Sequence, residues 1–190
     1  MNYAAIKKND IANGEGIRTT LFVSGCRNRC PGCFQPETWS FEYGQPFTNE
    51  VADMIFDTFK NPVVKGITIL GGEPMEPENQ EGLLPFLVEF KARFPDKTVW
   101  LFTGNTYEEL TSGVGNHYKC LSITARLLSL VDILVDGRFE ADKKRLGLRF
   151  RGSSNQRIID MNKTRAEGKI VIWDGCRGDK YYGNGEDRND

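Results

Sequence analysis

The sequence has almost no histidine: one, His117, in 190 residues. A Ser-His-Asp relay needs a histidine between nucleophile and acid, and hydrolytic zinc sites draw on several, so both classes are disfavoured. Long apolar runs are also missing. Stretches such as GITIL and DILV fall far short of the roughly 18 residues that a membrane-spanning helix needs. The opening MNYAAIKKND lacks the apolar core of a signal peptide, so a cytoplasmic chain without a membrane role is expected. Nor is one sign of charge in excess. With 25 basic against 26 acidic residues, no global field draws the chain to nucleic acid or an anionic bilayer. No internal repeat is visible, and the length suits one domain with a real core.

Cysteine is sparse but unevenly placed. Five residues, an odd number, make a poor disulfide framework, and three of them fall in SGCRNRCPGCF, residues 24 to 34. Cys26, Cys30 and Cys33 admit three readings. A structural zinc site needs four ligands, and the fourth would have to come from His117, Cys120 or Cys176, all remote in sequence. Buried structural cysteines are a second reading, at odds with the polar neighbours Arg27, Asn28 and Arg29. The third is a four-iron cluster, whose irons are normally all held by thiolates. Three thiolates would leave one iron with an open position, as a catalytic zinc keeps one for substrate.

Short β-rich runs alternate with longer amphipathic stretches, which points to an α/β fold on a largely parallel sheet. RTTLFVSG (18–25) reads as the first clear strand, able to pair with NYAAIK near the start. Thr48 suits the N-cap of a helix running to about residue 60. VVKGITIL (63–70) is a strand, 78–94 a helix that Pro95 ends and Pro85 perturbs, and KTVWLF (97–102) a third strand. TYEEL and ITARLLSL are helical with GVG between them, VDILV (131–135) is a fourth strand, and KIVIW (169–173) a fifth or an edge strand. The expected core domain is residues 1–175, followed by a loose Gly-, Asp- and Asn-rich tail over 176–190.

The segments after the strands are SGC, GGEP, TGN and DGRF. On parallel strands all four gather at the C-terminal rim, where βα folds place their sites. Turn chemistry explains each one separately. GGEP asks for more, because adjacent glycines admit a ligand close to the backbone and Glu73 adds a charge.

C-x3-C-x2-C followed by Gly-Gly-Glu-Pro after the next strand resembles the radical S-adenosylmethionine superfamily. NGEGIRTTLFVSGCRNRCPGCFQPETW, VDILVDGRF and FRGSSNQRIID narrow the resemblance to the small glycyl-radical activases, those serving anaerobic ribonucleoside-triphosphate reductases. The resemblance implies an incomplete (β/α) barrel with its helices outside, in keeping with a chain shorter than the roughly 250 residues of a full barrel. It implies a [4Fe-4S] cluster with one open iron that chelates S-adenosylmethionine. An electron through the cluster would cleave the sulfonium bond, and the resulting 5'-deoxyadenosyl radical would take hydrogen from a glycine of the large reductase subunit. A low-potential donor such as a flavodoxin would supply the electron.

Carried over by residue, Cys26, Cys30 and Cys33 are the cluster ligands. Gly32, Cys33 and Phe34 lie along the cofactor, and Gly71, Gly72 and Glu73 meet its methionine amino group through backbone and carboxylate. Gly32 stands where the wider superfamily often has an aromatic residue, so Phe34 or backbone contacts take over adenine packing. Asp136 is a candidate contact to cofactor or cation, or else a helix or turn cap. Arg149, Arg151 and Arg157 are a solvated basic surface or contacts to the cofactor carboxylate or the partner. Trp39, Phe41, Tyr43 and Phe47 pack down the cysteine loop or join a docking face, and Cys120 and Cys176 are structural or spare. The rival functions are an activase of a formate-lyase-type enzyme, another small radical enzyme of the superfamily, and a zinc-binding interaction module.

Overall fold

In RTTLFV and GITILG, alternate side chains must face opposite sides of a sheet, and the computed structural model separates them accordingly. It describes residues 1–112 and 122–176. GVG, His117, Cys120, the side chain of Cys176 and the tail from 177 lie outside the described residues. The strands are β1 (Asn2–Asp10), β2 (Ile17–Val23), β3 (Gln45–Pro46), β4 (Val64–Gly71), β5 (Thr98–Phe102), β6 (Ile133–Asp136) and β7 (Arg157–Asp160). The helices are α1 (Asn49–Thr58), α2 (Pro77–Arg93), α3 (Tyr107–Ser112), α4 (Ser122–Ser129) and α5 (Met161–Glu167).

The seven strands form one sheet in the order β3-β1-β2-β4-β5-β6-β7. The pairs β2-β4, β4-β5 and β5-β6 are parallel, whereas β1 and β7 run against their neighbours, so five of the seven strands point the same way. The sheet is mostly parallel and does not close. Leu21, Val23, Ile67, Ile69, Val99, Leu101 and Leu134 face Ile55 and Phe56 of α1, Leu83, Leu87 and Phe90 of α2, and Leu127 of α4, and this face is the main core. The opposite face carries a smaller cluster of Trp100, Ile133, Val135 and Ile158. Helices therefore cover one side, and the other side is left for a cavity.

Toward the N-terminal end of the parallel strands that open side is plugged by Arg18, fully buried. Its guanidinium donates to Thr68 Oγ1 (2.7 Å), Thr98 Oγ1 (3.0 Å) and the carbonyls of Ile67 (2.6 Å) and Thr98 (2.9 Å). Burial lowers its pKa to about 9, and these acceptors and the Trp100 ring, 5.5 Å away, hold a cation that contacts no carboxylate among the described residues.

Two expectations on elements change. The run 169–173 contributes one bridge, Ile159 to Ile172, and β7 at 157–160 is the edge strand instead. Asp160 N–H bonds Val171 O (2.8 Å) and Trp173 N–H bonds Ile158 O (2.9 Å), so the run is tied to β7 around that one residue pair and not along a longer ladder. Thr48 does occupy the N-cap of α1 with extended backbone, yet its side chain makes no capping hydrogen bond, and the helix ends at Thr58.

Candidate metal and cofactor site

The cysteine loop begins where β2 leaves the sheet. Gly25, at φ +95°, lies against the Phe41 ring in a space that a Cβ would fill. Gly25 N–H donates to Thr38 O (2.8 Å) and Cys26 N–H to Trp39 O (3.1 Å), so the 3-10 turn Pro36–Trp39 holds Cys26 in place. Cys30-Pro31-Gly32-Cys33 is a hydrogen-bonded turn with Cys33 N–H on Cys30 O at 3.1 Å. Pro31 at its second position and Gly32 at φ +72° are the residues a type II turn demands. Cys26 is buried, Cys30 and Cys33 are half-buried, and all three are free thiols. Burial pushes the Cys26 thiol up to about 12, with the Glu73 charge adding to it, and burial also raises Cys30.

The GGEP segment supports this loop. Gly72 N–H donates to Val23 O (2.7 Å) and Glu73 N–H to Gly25 O (2.8 Å). A Cβ on Gly72 would lie 2.6 Å from the Gly25 carbonyl oxygen and 3.0 Å from that of Thr38, so only glycine allows the approach. The Glu73 carboxylate is wholly buried and accepts four hydrogen bonds. Oε1 takes Met75 N–H (2.9 Å) and Thr103 Oγ1 (2.8 Å); Oε2 takes Asn28 Nδ2 (2.8 Å) and Gly104 N–H (2.7 Å). Burial raises its pKa to about 6 against the pull of these donors, and four donors facing two oxygens require the ionised form at neutral pH. The acceptor capacity of the carboxylate is thereby used up within the protein. The edge left to a ligand is the backbone of residues 71–73, with Leu70 beside it.

The buried Glu76 adds a second tie: it accepts Arg27 N–H at 2.6 Å and pairs with the Arg27 guanidinium. That guanidinium also pairs with Glu78 (2.6 Å) and stacks 4.3 Å from the Phe41 ring centre, and the two carboxylates, Glu78 foremost, hold its pKa above the usual value. Asn79 Nδ2 donates to the carbonyls of Ser24 (3.0 Å) and Glu73 (2.9 Å). The residues after β4 therefore hold both the start and the middle of the cysteine loop.

SGC, GGEP, TGN and DGRF all reach one cavity of about 450 Å³. Its lining includes Cys26, Cys30 and Cys33, the Gly71 to Glu73 edge, Thr103, Gly104, Gly137 and Phe139. Among the described residues no three His, Cys, Asp or Glu side chains form a group suited to one metal ion. Three soft thiols spread along one wall match a multi-iron cluster, which takes one thiolate per iron, better than a single closed zinc. The volume is also that of an ordinary small-molecule pocket.

Phe34 lines the cavity and stays 66% exposed, its ring 5.3 Å from Phe139 and its face 4.8 Å from Lys144 Nζ. Gly32 sits beside it, where a Cβ would come 3.3 Å from Ala141 Cβ. Asp136 is not part of the lining. It faces the helix side, accepts Tyr107 N–H (2.8 Å) at the start of α3 and pairs with Arg157, so its role here is that of a cap. Arg157 is occupied by Asp136 and Glu108, and Arg149 donates to Gly175 O (2.8 Å). Of the three arginines, only Arg151 lines the cavity. Of the aromatic residues, Trp39 lines it, Phe41 packs under the loop, Phe47 joins Tyr3 and Phe86 in the core, and Tyr43 is exposed. Another cavity of about 510 Å³, lined by Tyr107, Glu108, Thr164 and Lys169, contains no thiol.

Comparison with known proteins agrees with this construction. The family model described as a 4Fe-4S single cluster domain matches residues 12–159. The anaerobic ribonucleoside-triphosphate reductase-activating protein of Pasteurella multocida is 42% identical over 160 residues, covering 83% of this chain and 96% of that protein. Its namesake in Escherichia coli K12 is 39% identical over 158 residues, covering 82% and 96%. The protein of that name in Enterobacteria phage T4 is 35% identical over 158 residues, covering 83% and 93%. The chain belongs to this family of reductase-activating proteins.

Several residues that build the activating-protein site were not singled out by sequence reasoning. Asn28 was noted only for its polarity, although its amide binds Glu73 and its Oδ1 receives Arg138 (3.2 Å). Glu76 and Asn79 sit in the run EPEN, which reads as the acidic start of a helix. Phe139, Leu148 and Phe150 come from a connection without periodicity. Phe139 carries a signal as the last residue of DGRF at a strand end, and Phe150 as the first of FRGSSNQRIID, whereas Leu148 carries none.

Proposed function

We propose that this chain activates an anaerobic ribonucleoside-triphosphate reductase by reductive cleavage of S-adenosylmethionine at a [4Fe-4S] cluster, leaving a glycyl radical on the reductase. One observation carries the reading. Three free thiols, a glycine-lined backbone edge and an exposed aromatic ring share a single cavity at the C-terminal ends of β2, β4, β5 and β6. On this reading residues 1–175 work as one radical S-adenosylmethionine domain, and the open sheet is the incomplete barrel of that superfamily.

Cys26, Cys30 and Cys33 would hold three irons, leaving the fourth for the amino and carboxylate groups of the cofactor. With cluster and cofactor both bound, the site would supply one-electron reductive cleavage of the sulfonium bond, the electron coming from an external donor, and hydrogen-atom abstraction from glycine. The protein orients them. The type II turn sets Cys30 and Cys33, the bond of Cys26 N–H to the Trp39 carbonyl sets the third thiol, and Glu73 locks Asn28 between Cys26 and Cys30. Gly71 and Gly72 would bring backbone to the cofactor's amino end, and Cys33 and Phe34 would lie along the remainder, with Gly32 behind them in the turn and outside the cavity lining, Phe34 and Phe139 offering adenine an apolar wall. Burial of Cys26 and Cys30 disfavours their bare thiolates and would suit thiolates bound to iron. Hydrogen-atom abstraction needs no general base, in keeping with a single histidine. The electron donor on this reading is a low-potential carrier of flavodoxin type.

The reading is tested by incubating anaerobically reconstituted protein with reductase, S-adenosylmethionine and reductant, and following the glycyl radical by electron paramagnetic resonance. A radical that requires all four components supports it. A radical on a formate-lyase-type enzyme but not on the reductase would reassign the partner.

A further inference from the structure

The connection between β6 and β7, residues 137–156, contains one short 3-10 turn, Ala141–Lys143, and no other helix or strand. Connections of that length without structure of their own are uncommon and usually functional. This one forms a wall of the cavity through Phe139, Lys144, Arg145, Leu148 and Phe150. It also carries six basic residues and two acidic ones, a net +4, in a chain whose net charge is −1.

Those cations have few carboxylate partners. Lys143 pairs with Glu140, whereas among the described residues Arg138, Lys144, Arg145 and Arg149 meet none. Among the described residues Arg145 donates to the backbone of its own loop, at Asp142 and Lys144, and Arg149 to the Gly175 carbonyl. Between these two lies Leu146, 94% exposed, followed by Gly147 at φ +87° with nothing within 4 Å of its Cβ position. An isolated leucine held out on a turn between unpaired arginines has no role in the core.

We infer that this loop is the docking surface for the partner, that it receives an acidic face of the reductase, and that Leu146 enters an apolar recess there. The inference rests on the proposed reading that the substrate is a residue of another protein. Lys144, Arg145 and Arg151 line the cavity and face whatever it holds, but Arg138, Leu146 and Arg149 are not part of that lining, so a small ligand of the cavity does not account for them. A phosphate backbone or anionic bilayer would be attracted by the net +4 as well, and the vesicle and polyuridylate arms of the test separate these from a protein face. A protein face with its own charge pattern and one recess fits the mixture, and it would bring the glycine over the cavity mouth. Interfaces of this kind combine a steering charge set with a few apolar anchors.

The test uses the full chain with its cluster and two variants outside the cavity lining, Arg149→Glu and Leu146→Asp. For both, cleavage of S-adenosylmethionine without reductase should match the wild type. In glycyl-radical formation the KM for reductase should rise about tenfold at low salt for Arg149→Glu, as expected for a rim charge reversal. That difference should shrink toward 1 M NaCl, where the screening length falls to about 3 Å. Leu146→Asp should raise KM at every salt concentration. Wild-type KM and salt dependence in both variants would overturn the inference. So would charge-dependent binding to phosphatidylglycerol vesicles or polyuridylate with the reductase KM unmoved. Absence of cleavage in the wild type would instead sink the underlying reading, a separate result.

Discussion

Changing Glu73 to Gln alters one atom of a side chain that binds four donors, which makes it the sharpest perturbation of the site. If the new amide replaces Oε1 it confronts Met75 N–H and the Thr103 hydroxyl; if it replaces Oε2 it confronts Gly104 N–H and Asn28 Nδ2. A hydroxyl can rotate, and the Asn28 amide can flip at the expense of its bond from Arg138. Either way one backbone N–H stays buried without an acceptor, at about 1–3 kcal/mol. The remaining bonds also lose their charge assistance, so the total is roughly 2–5 kcal/mol. For a chain of this size that lowers Tm by roughly 4–20 °C. Because Asn28 lies between Cys26 and Cys30, iron and sulfide bound after reconstitution should fall at temperatures where the variant is still folded. The measurements are thermal unfolding by circular dichroism and iron and sulfide analysis at 20 °C or below. An unchanged Tm with a full cluster would refute the claim that Glu73 ties the strand ends to the cysteine loop.

Gly72→Val should remove cluster and cofactor binding together, because the first carbon of its side chain already meets the carbonyls of Gly25 and Thr38. Iron content and cofactor titration in one preparation check this, and cluster retention with loss of cofactor alone would contradict the packing. Phe34→Ala should leave Tm within about 1 °C, since the ring is mostly exposed, and weaken S-adenosylmethionine binding roughly fivefold by equilibrium dialysis, a typical worth of one aromatic contact. Arg157→Gln tests the cluster around Asp136. Arg157 holds the Glu108 carboxyl below its usual range, so that stabilisation is present above the unfolded value of about 4.3 and is lost as pH falls through the folded one. The stability gap between wild type and Arg157→Gln in urea melts should therefore be widest at neutral pH and narrow below about pH 4.

Much of the parallel centre of the sheet was legible because β2, β4, β5 and β6 are short apolar runs, each followed by a glycine-containing exit. The same exits predicted the rim, and the cavity unites all four. The edges were less legible. RIID has four residues and no flanking glycine, so nothing local separates it from a loop, while KIVIW has strand composition but arrives after α5 with room for one bridge. At the site, the cysteines and glycines announce themselves by type and spacing. Glu73 was noticed for its charge, but its engagement by Thr103, Gly104 and Asn28 depends on three chain segments meeting, which no local pattern encodes. Asp136 shows the reverse: a carboxylate at a strand end suits a cofactor contact and a cap equally in sequence, and strand alternation turns it to the helix side, where it accepts Tyr107 N–H at the start of α3.

The central claim is that the cavity holds a cluster with an iron reserved for S-adenosylmethionine. Its most direct test is anaerobic reconstitution with iron and sulfide, followed by dithionite reduction with and without S-adenosylmethionine and quantification of 5'-deoxyadenosine. Stoichiometric iron and sulfide, a cofactor-dependent change in the reduced cluster's resonance signal, and 5'-deoxyadenosine that disappears in Cys30→Ala are the predicted results. A protein that binds zinc but no iron or sulfide, or one that assembles its cluster and forms no 5'-deoxyadenosine, would contradict the account.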